Sequence, residues 1–427
     1  MMGYQISGGQ RLEGVVDVAG SKNTALAIMS SVVLARGVTA LHNVPDLSDT
    51  RMKARLLEQL GAKVVWREGS AYIDCTDVGR GEPDEETVRS IRTSFYLLGP
   101  LLGRTGRVAL PAPGGCKIGA RPVDFHLRGL ALLGAEVELR SGIYHARTEG
   151  LRGAEIYLDF PSAGATQHLM ATACVAEGCT TIQNAALEPE VTALADFLNS
   201  MGARIEGAGT GTITILGVKE LQPTTYRIPA DRLQAGTYLL AGAMTQGDVM
   251  VRGIMPDHQI ALVNKLREAE AEVSEGADWV RVRAPKRLKA IRVKTMPYPG
   301  FATDIQQPMA ATLSLASGVS LLEETIYESR IGHVDELNRM GADIRMEGRT
   351  AVITGVRKLR GAVVEATDLR AGAALVLAGL AAEGETFVKN IHFIDRGYEA
   401  FDESLRTLGG QITRMEPKEA EALHPSE

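Results

Sequence analysis

A reactive cysteine is the first candidate for chemistry in this sequence. Cys116 lies in residues 111–122, PAPGGCKIGARP, a stretch whose glycines and prolines indicate an exposed loop rather than core. Lys117 and Arg121 are close in the chain, and positive charge near a thiol stabilises the thiolate and increases its reactivity. The alternative is a surface thiol without function. The glycines and the two cations favour a catalytic residue.

Polar residues begin each of six strongly apolar stretches, which the sequence predicts to be buried helices. These residues are Lys22, Arg92, Ser162, Asp231, Asp304 and Asp368, with Arg232 and Arg370 beside two of them. A helix N-terminus carries free N–H groups and partial positive charge, so a cation there does not stabilise the helix. Lys22 and Arg92 are therefore predicted either to bind an anionic substrate or to pair with a neighbouring carboxylate.

Other chemistry has weaker support. The stretch 20–23 lacks the upstream glycine of a P-loop, and no Gly-x-Ser-x-Gly motif provides an acyl-transfer serine. The eight histidines show neither HxxxH nor HxH spacing, so no metal site is predicted. We also expect no cofactor. Cys75, Cys174 and Cys179 form no CxxC pair and are interpreted as reduced thiols.

An internal repeat predicts the elements that position these residues. A Leu/Met-Gly-Ala signal recurs, in two copies loosely, at Gly61, Gly134, Gly202, Glu270, Gly341 and Gly409, with a period of about 70 residues. A glycine that closes an apolar run keeps the same period, at Gly37, Gly106, Gly178, Gly247, Gly318 and Gly384. Each repeat is predicted to contain a buried helix, an amphipathic helix ended by glycine, and alternating strands such as 63–66 and 71–74.

The sixth repeat lacks its last strands, and residues 6–12 resemble residues 353–359 of the fifth. The N-terminal segment is therefore predicted to complete the last repeat. The predicted fold is a two-domain inside-out α/β barrel of six repeats, with helices inside and sheets outside. The first domain is residues 22–230, and the second is residues 231–427 completed by residues 1–21. A substrate would bind in the cleft between them.

Composition limits the class of protein. The chain has 427 residues, 45% hydrophobic and 23% charged, which is ordinary for a globular protein of two domains. Its formal charge of −6 argues against non-specific nucleic-acid binding. The first residues lack the pattern of a signal peptide, and the apolar runs are shorter than the ~20 residues of a membrane helix. We expect a cytoplasmic protein with no membrane association and no obligate protein partner.

Taken together, these blocks resemble the enolpyruvyl transferase family over nearly the whole chain, from about Tyr4 to about Met415. The most specific block is residues 114–124, GGCKIGARPVD, which is similar to the family's active-site loop. Further matching blocks are residues 20–23, 188–190, 303–304, 368–370 and 394–398. The family's inside-out α/β fold, with two domains of three repeats, agrees with the period described above.

The resemblance implies transfer of the enolpyruvyl group of phosphoenolpyruvate to the 3-hydroxyl of UDP-N-acetylglucosamine, with release of phosphate. This is the first committed step of peptidoglycan precursor synthesis. The branch of the family that acts on shikimate 3-phosphate, 5-enolpyruvylshikimate-3-phosphate synthase, is an alternative, but it lacks the loop cysteine. A non-catalytic paralogue that binds UDP-sugars is a second alternative, which the presence of Lys22, Cys116 and Asp304 disfavours.

By the same resemblance, Cys116 donates the proton and is alkylated by the epoxide antibiotic fosfomycin. Asp304 orients or deprotonates the sugar hydroxyl, and Lys22 and Arg396 complete the catalytic set. The residues expected to bind substrate are Lys22, Asn23, Arg92, Arg121, Pro122, Val123, Asp124, Phe125, Ser162, Gly164, Asp304, Ile326, Arg330, Arg370 and Arg396.

Overall fold

The structure, a computed structural model, describes residues 2–79, 81, 83–114 and 123–416. Cys116, Arg121 and Pro122 lie outside the described residues. The described chain forms two compact units. Unit I contains the described residues from 19 to 229, and unit II contains residues 2–18 and 230–416. The predicted class, α/β with two domains, agrees with these units.

The elements follow one another as helices and short strands in both units. The α-helices are α1 (Lys22–Ser31), α2 (Ser48–Gln59), α3 (Glu85–Ser90), α4 (Leu98–Thr105), α5 (Asp124–Leu132), α6 (Ala163–Ala173), α7 (Pro189–Ser200), α8 (Arg232–Met244), α9 (Ile260–Glu268), α10 (Gln306–Leu313), α11 (His333–Arg339), α12 (Leu369–Ala381) and α13 (Phe401–Thr407). Short 3₁₀ helices are formed by Val32–Leu34, Arg92–Leu97, Pro256–Gln259, Thr303–Ile305 and Ile391–Arg396.

The strands are β1 (Gly3–Ser7), β2 (Glu13–Asp17), β3 (Val38–His42), β4 (Lys63–Arg67), β5 (Ser70–Asp74), β6 (Arg107–Pro111), β7 (Glu136–Arg140), β8 (Ile143–Arg147), β9 (Glu155–Tyr157), β10 (Cys179–Gln183), β11 (Arg204–Glu206), β12 (Thr212–Leu216), β13 (Thr225–Arg227), β14 (Asp248–Arg252), β15 (Glu272–Glu275), β16 (Trp279–Arg283), β17 (Arg292–Lys294), β18 (Val319–Glu323), β19 (Asp343–Glu347), β20 (Thr350–Thr354), β21 (Val363–Glu365), β22 (Glu385–Lys389) and β23 (Gln411–Met415).

Five of the sheets share one strand order. They run β13-β3-β5-β4, β9-β10-β12-β11, β2-β14-β16-β15, β17-β18-β20-β19 and β21-β22-β1-β23. In each, the first pair is parallel and the other two pairs are antiparallel. A sixth sheet, β6-β8-β7, has three strands within the described part of the chain. All six are open sheets, so the described residues form no closed barrel.

Burial distinguishes the helices from the sheets. In α12 every residue from Arg370 to Leu380 is buried, so this helix is enclosed on all sides, as its almost unbroken apolar sequence predicts. Strand β12 instead alternates exposed and buried residues, as expected for a sheet with one face towards the core and one towards solvent. The sheets therefore cover the buried helices of each unit.

Two predicted helix starts need correction, and proline explains both. Arg92 begins a 3₁₀ helix and α4 begins only at Leu98, while Asp304 lies in a 3₁₀ turn before α10. Proline has no N–H to donate to the carbonyl four residues earlier. Pro100 therefore cannot bond to Tyr96, nor Pro308 to Asp304, so regular α-helix begins after these residues. Asp304 is not the N-cap of α10, and its side chain is available for other contacts.

Candidate functional site

The three buried helices of unit II begin close together. Asp231 caps α8, accepting hydrogen bonds from the amides of Leu233 and Gln234 at 2.8 and 3.0 Å. Asp368 caps α12 in the same way and also accepts a bond of 3.1 Å from Gln307, in the first turn of α10. Aspartate at these positions satisfies N–H groups that have no partner inside the helix. The cap of α12 thus also links the starts of α12 and α10.

Asp304 is the centre of this cluster. Its Oδ1 lies 2.6 Å from Nη1 of Arg330, and its Oδ2 lies 3.3 Å from Nη2 of Arg370. Both arginine side chains are almost completely buried, whereas a quarter of the Asp304 side chain is exposed. Asp304 is therefore an oriented carboxylate that can still accept a hydrogen bond from a ligand.

The buried arginines keep both their charge and spare donors. Burial acts to lower the pKa of Arg330, but the neighbouring Asp304 and Asp368 carboxylates outweigh it and raise this pKa overall. Nε of Arg330 and Nε of Arg370 have no hydrogen-bond acceptor within the described part of the chain. Buried His333 adds no charge at neutral pH, because burial lowers its pKa to about 4. Unpaired buried donors of this kind are suited to an anionic or carbonyl oxygen.

Glu324 joins a predicted substrate residue to Asp304, and sequence reasoning missed it. This buried carboxylate accepts from the amide of Ile326 at 2.7 Å and from the hydroxyls of Thr295 and Thr303 at 2.9 and 2.8 Å. Thr303 precedes Asp304 in the same 3₁₀ turn. One side chain therefore fixes the position of the Ile326 backbone relative to that turn.

Arg396 ends a 3₁₀ helix whose following residues belong to the same cluster. The carbonyl of Gly397 accepts a 3.0 Å bond from Gln234 of α8. The ring centroid of Tyr398 lies 5.1 Å from Cζ of Arg370, and its hydroxyl is 2.9 Å from that of Thr237. The backbone next to Arg396 is thus tied to α8, and Tyr398 lies against the buried guanidinium of α12.

In unit I, Lys22 is the first residue of α1, which Ser21 caps. Its Nζ lies 2.8 Å from Oδ2 of Asp49 in the first turn of α2, and both side chains are about nine-tenths buried. Of the two sequence interpretations, the ion pair with a carboxylate is the one present here. Such a pair does not prevent binding, since an incoming anion can compete for the ammonium group. Asn23, the next residue, is exposed.

The predicted nucleotide-sugar residues that are described lie at the starts of α5 and α6. Val123 precedes Asp124 and Phe125 in α5, and Ser162 caps α6, its hydroxyl accepting from the amide of Ala165 at 3.3 Å. Gly164 packs so closely that a Cβ there would lie 2.5 Å from the hydroxyl of Tyr96.

A buried histidine pair links α5 to α6. His126 of α5 and His168 of α6 bring their Nδ1 atoms to 2.9 Å. The amide of Gly99 donates to Nε2 of His168 at 2.9 Å, so His168 carries its proton on Nδ1 and donates it to His126. Burial, with a smaller contribution from the charge of Arg92, lowers the pKa of His126 to about 3. Arg92 is therefore close to the start of α5.

Comparison with known proteins decides the family. The family model described as EPSP synthase (3-phosphoshikimate 1-carboxyvinyltransferase) matches residues 6–405. UDP-N-acetylglucosamine 1-carboxyvinyltransferase 2 of Carboxydothermus hydrogenoformans is 50% identical over 96% of this chain and 99% of its own length. A protein of Trichlorobacter lovleyi named UDP-N-acetylglucosamine 1-carboxyvinyltransferase is 48% identical over 96% of this chain and 98% of its own. This chain belongs to the EPSP synthase family of enolpyruvyl transferases.

Solved structures of the family share the fold. The enolpyruvyl transferase NikO of Streptomyces tendae has a TM-score of 0.88 and 26% identity, covering 97% of this chain and 99% of its own. EPSP synthase of Acinetobacter baumannii has a TM-score of 0.75 and 18% identity, covering 97% of this chain and 100% of its own. The second likeness concerns the fold alone.

For this member of the EPSP synthase family, the structure brings Asp304, Arg330 and Arg370 together and places Lys22 against Asp49. No three His, Cys, Asp or Glu side chains of the described ranges cluster as metal ligands. Every described helix is too short or too polar to span a bilayer. Sequence reasoning missed Asp49 and Glu324, whose contacts with Lys22 and Thr303 join residues that are distant in the chain.

Proposed function

We propose that this chain transfers the enolpyruvyl group of phosphoenolpyruvate to the 3-hydroxyl of UDP-N-acetylglucosamine and releases phosphate, the first committed step of peptidoglycan precursor synthesis. The observation that carries the proposal is the full-length identity of about half to proteins named for this activity. The loop cysteine supports the same acceptor, because the shikimate branch that the sequence resembles lacks it. The arginine-bound carboxylate of unit II supplies chemistry that the reaction needs.

Addition of the sugar hydroxyl to C2 of phosphoenolpyruvate requires a proton at C3, and loss of phosphate returns the double bond. Cys116 is the proposed acid, and Asp304 is the proposed partner of the sugar hydroxyl. Asp304 suits that role because Arg330 and Arg370 fix its orientation while a quarter of its side chain stays exposed. Lys22 and Arg396 are proposed to stabilise the negative charge of the phosphate and carboxylate groups.

The proposed substrate-binding set is the one that the resemblance implies. It comprises Lys22, Asn23, Arg92, Arg121, Pro122, Val123, Asp124, Phe125, Ser162, Gly164, Asp304, Ile326, Arg330, Arg370 and Arg396, of which Arg121 and Pro122 lie outside the described residues. Helix starts are suited to phosphate groups because their N–H groups point outward. Six members are the first or second residue of an α-helix: Lys22, Asn23, Asp124, Phe125, Gly164 and Arg370.

The proposal extends to the details of the fold. Six repeats of about 70 residues form an inside-out α/β barrel, three in residues 22–230 and three in residues 231–427 with residues 1–21. The common strand order of five sheets supports this repeat. The enzyme is proposed to work in the cytoplasm on small-molecule substrates, without a metal, cofactor, nucleic acid or obligate protein partner.

A phosphate-release assay tests the acceptor. The purified chain is incubated with phosphoenolpyruvate and either UDP-N-acetylglucosamine or shikimate 3-phosphate, and phosphate is measured over time. We expect turnover only with the nucleotide sugar. Turnover only with shikimate 3-phosphate would support the other branch of the family. Binding of UDP-N-acetylglucosamine without any phosphate release would support a non-catalytic paralogue.

A further inference from the structure

Lys53 of α2 places an ammonium group in the interior of unit I. The residue has no exposed surface. Its Nζ donates to the carbonyl oxygen of Thr93 at 2.7 Å and to Oγ of Ser30 at 2.8 Å. The Ser30 hydroxyl gives its own proton to the carbonyl of Leu26, so it is the acceptor from Lys53. The ammonium group therefore connects α2 to α1 and to the 3₁₀ helix that begins at Arg92.

Stability alone does not explain a lysine at this position. Burial lowers the pKa of Lys53 to about 7, although the charge of Asp49 opposes the shift. Two neutral acceptors do not replace the hydration that a buried charge loses. Replacing buried charged groups by apolar side chains of similar volume is often neutral or stabilising. A methionine could fill the same space, so the ammonium group has a use other than packing.

The contacts of α2 lead to two cations of the proposed substrate set. Asp49 lies one helical turn before Lys53, and its Oδ2 is 2.8 Å from Nζ of Lys22. Thr93, whose carbonyl Lys53 binds, directly follows Arg92. Residues four apart occupy the same face of a helix. One face of α2 therefore holds the side chain of Lys22 and the backbone next to Arg92.

We propose that Lys53 is a positioning residue that fixes Lys22 and Arg92 relative to each other, so that both meet the anionic groups of phosphoenolpyruvate. The proposal rests on the proposed function. Lys53 touches no reacting atom and acts through the residues that it holds.

The test compares Lys53→Met with Arg104→Met. Arg104 is a matched control because its Nη1 also donates to backbone carbonyls of unit I, those of Val33 and Ala35, at 2.7 and 2.9 Å. These carbonyls lie beyond the C-terminal end of α1, whereas Lys22 lies at its N-terminal end. We expect Lys53→Met to raise KM for phosphoenolpyruvate at least about tenfold, with kcat changed by less than about threefold. We expect Arg104→Met to lower the unfolding midpoint and leave this KM within about twofold.

Hydrogen exchange of amides 93–97 provides a readout that needs no turnover. We expect faster exchange there in Lys53→Met but not in Arg104→Met. If the wild-type chain shows no phosphate release, the proposed function fails, and faster exchange in Lys53→Met alone still supports the positioning role. If the wild-type chain is active, an unchanged KM in Lys53→Met overturns the positioning role. A KM increase in both variants, in proportion to their loss of stability, also overturns it.

Discussion

Asp304 combines fixed orientation with accessibility. Arg330 and Arg370 approach opposite oxygens of its carboxylate, yet a quarter of the side chain remains exposed. Sequence reasoning selected all three residues, because an aspartate at the start of an apolar stretch and the arginine block after Asp368 match the family. It did not show that the two arginines would be buried, since burial depends on neighbours far away in the chain. For the same reason, the hydrogen bond from Thr303 to Glu324 could not be predicted.

The loop cysteine provides the first prediction at this scale. We expect Cys116→Ser to lower kcat about 10²–10⁴-fold, the range of a lost general acid, because a hydroxyl is a much weaker acid than a thiol. The variant is also expected to resist fosfomycin. Cys179→Ser is the control, since Cys179 is an exposed cysteine outside the predicted active-site loop. Unchanged fosfomycin sensitivity in Cys116→Ser, measured by residual activity after treatment, would remove the loop from the mechanism.

Gly164 provides the second prediction. A Cβ there would lie 2.5 Å from the hydroxyl of Tyr96, at the end of a rigid ring. We expect Gly164→Ala to move the start of α6 and raise KM for UDP-N-acetylglucosamine about tenfold or more. Removing the Tyr96 hydroxyl relieves the clash. We therefore expect the double variant Gly164→Ala with Tyr96→Phe to have a KM for UDP-N-acetylglucosamine close to that of Tyr96→Phe alone. Equal KM values for Gly164→Ala and for the double variant would contradict a clash with the Tyr96 hydroxyl.

At the scale of elements, sequence periodicity predicted the helices and strands better than their contacts. The strands predicted at 63–66 and 71–74 are the antiparallel pair β4 and β5, and the helix predicted from residue 22 is α1. The α-helices begin six residues after Arg92 and two residues after Asp304, because the effect of Pro100 and Pro308 on the first turn was overlooked. The pairing of α2 with α1 could not be predicted, since an Asp and a Lys four residues apart normally indicate an exposed helix face.

The strand β1 allows a direct test of packing in unit II. It lies between β22 and β23, and Ile6 within it is completely buried. We expect Ile6→Ala to lower the free energy of unfolding by about 2–5 kcal/mol through lost burial and a residual cavity. Val363→Ala in the edge strand β21 of the same sheet is the control, because Val363 is 46% exposed. Equal losses in the two variants, measured by urea unfolding, would contradict the central position of β1.

The buried lysine predicts a pH dependence of stability. The pKa of Lys53 falls from 10.5 to about 7 on folding. In that window the unfolded chain binds more protons than the folded chain, so the contribution of Lys53 to the free energy of unfolding rises with pH. The stability of the wild-type chain minus that of Lys53→Met should increase by up to about 1.4 kcal/mol per pH unit between about pH 7 and pH 9. A constant difference would show that the ammonium group is not enclosed.

At the scale of the whole molecule, the proposed reaction is tested most directly by identifying the bond that this chain forms in its product. Phosphoenolpyruvate labelled with carbon-13 at C2 can be followed by NMR in the presence of UDP-N-acetylglucosamine and the enzyme. We expect the label to move into a vinyl ether at the 3-oxygen of the sugar while one phosphate is released per product. Label recovered as pyruvate, or unchanged phosphoenolpyruvate beside bound nucleotide sugar, would contradict the proposed reaction.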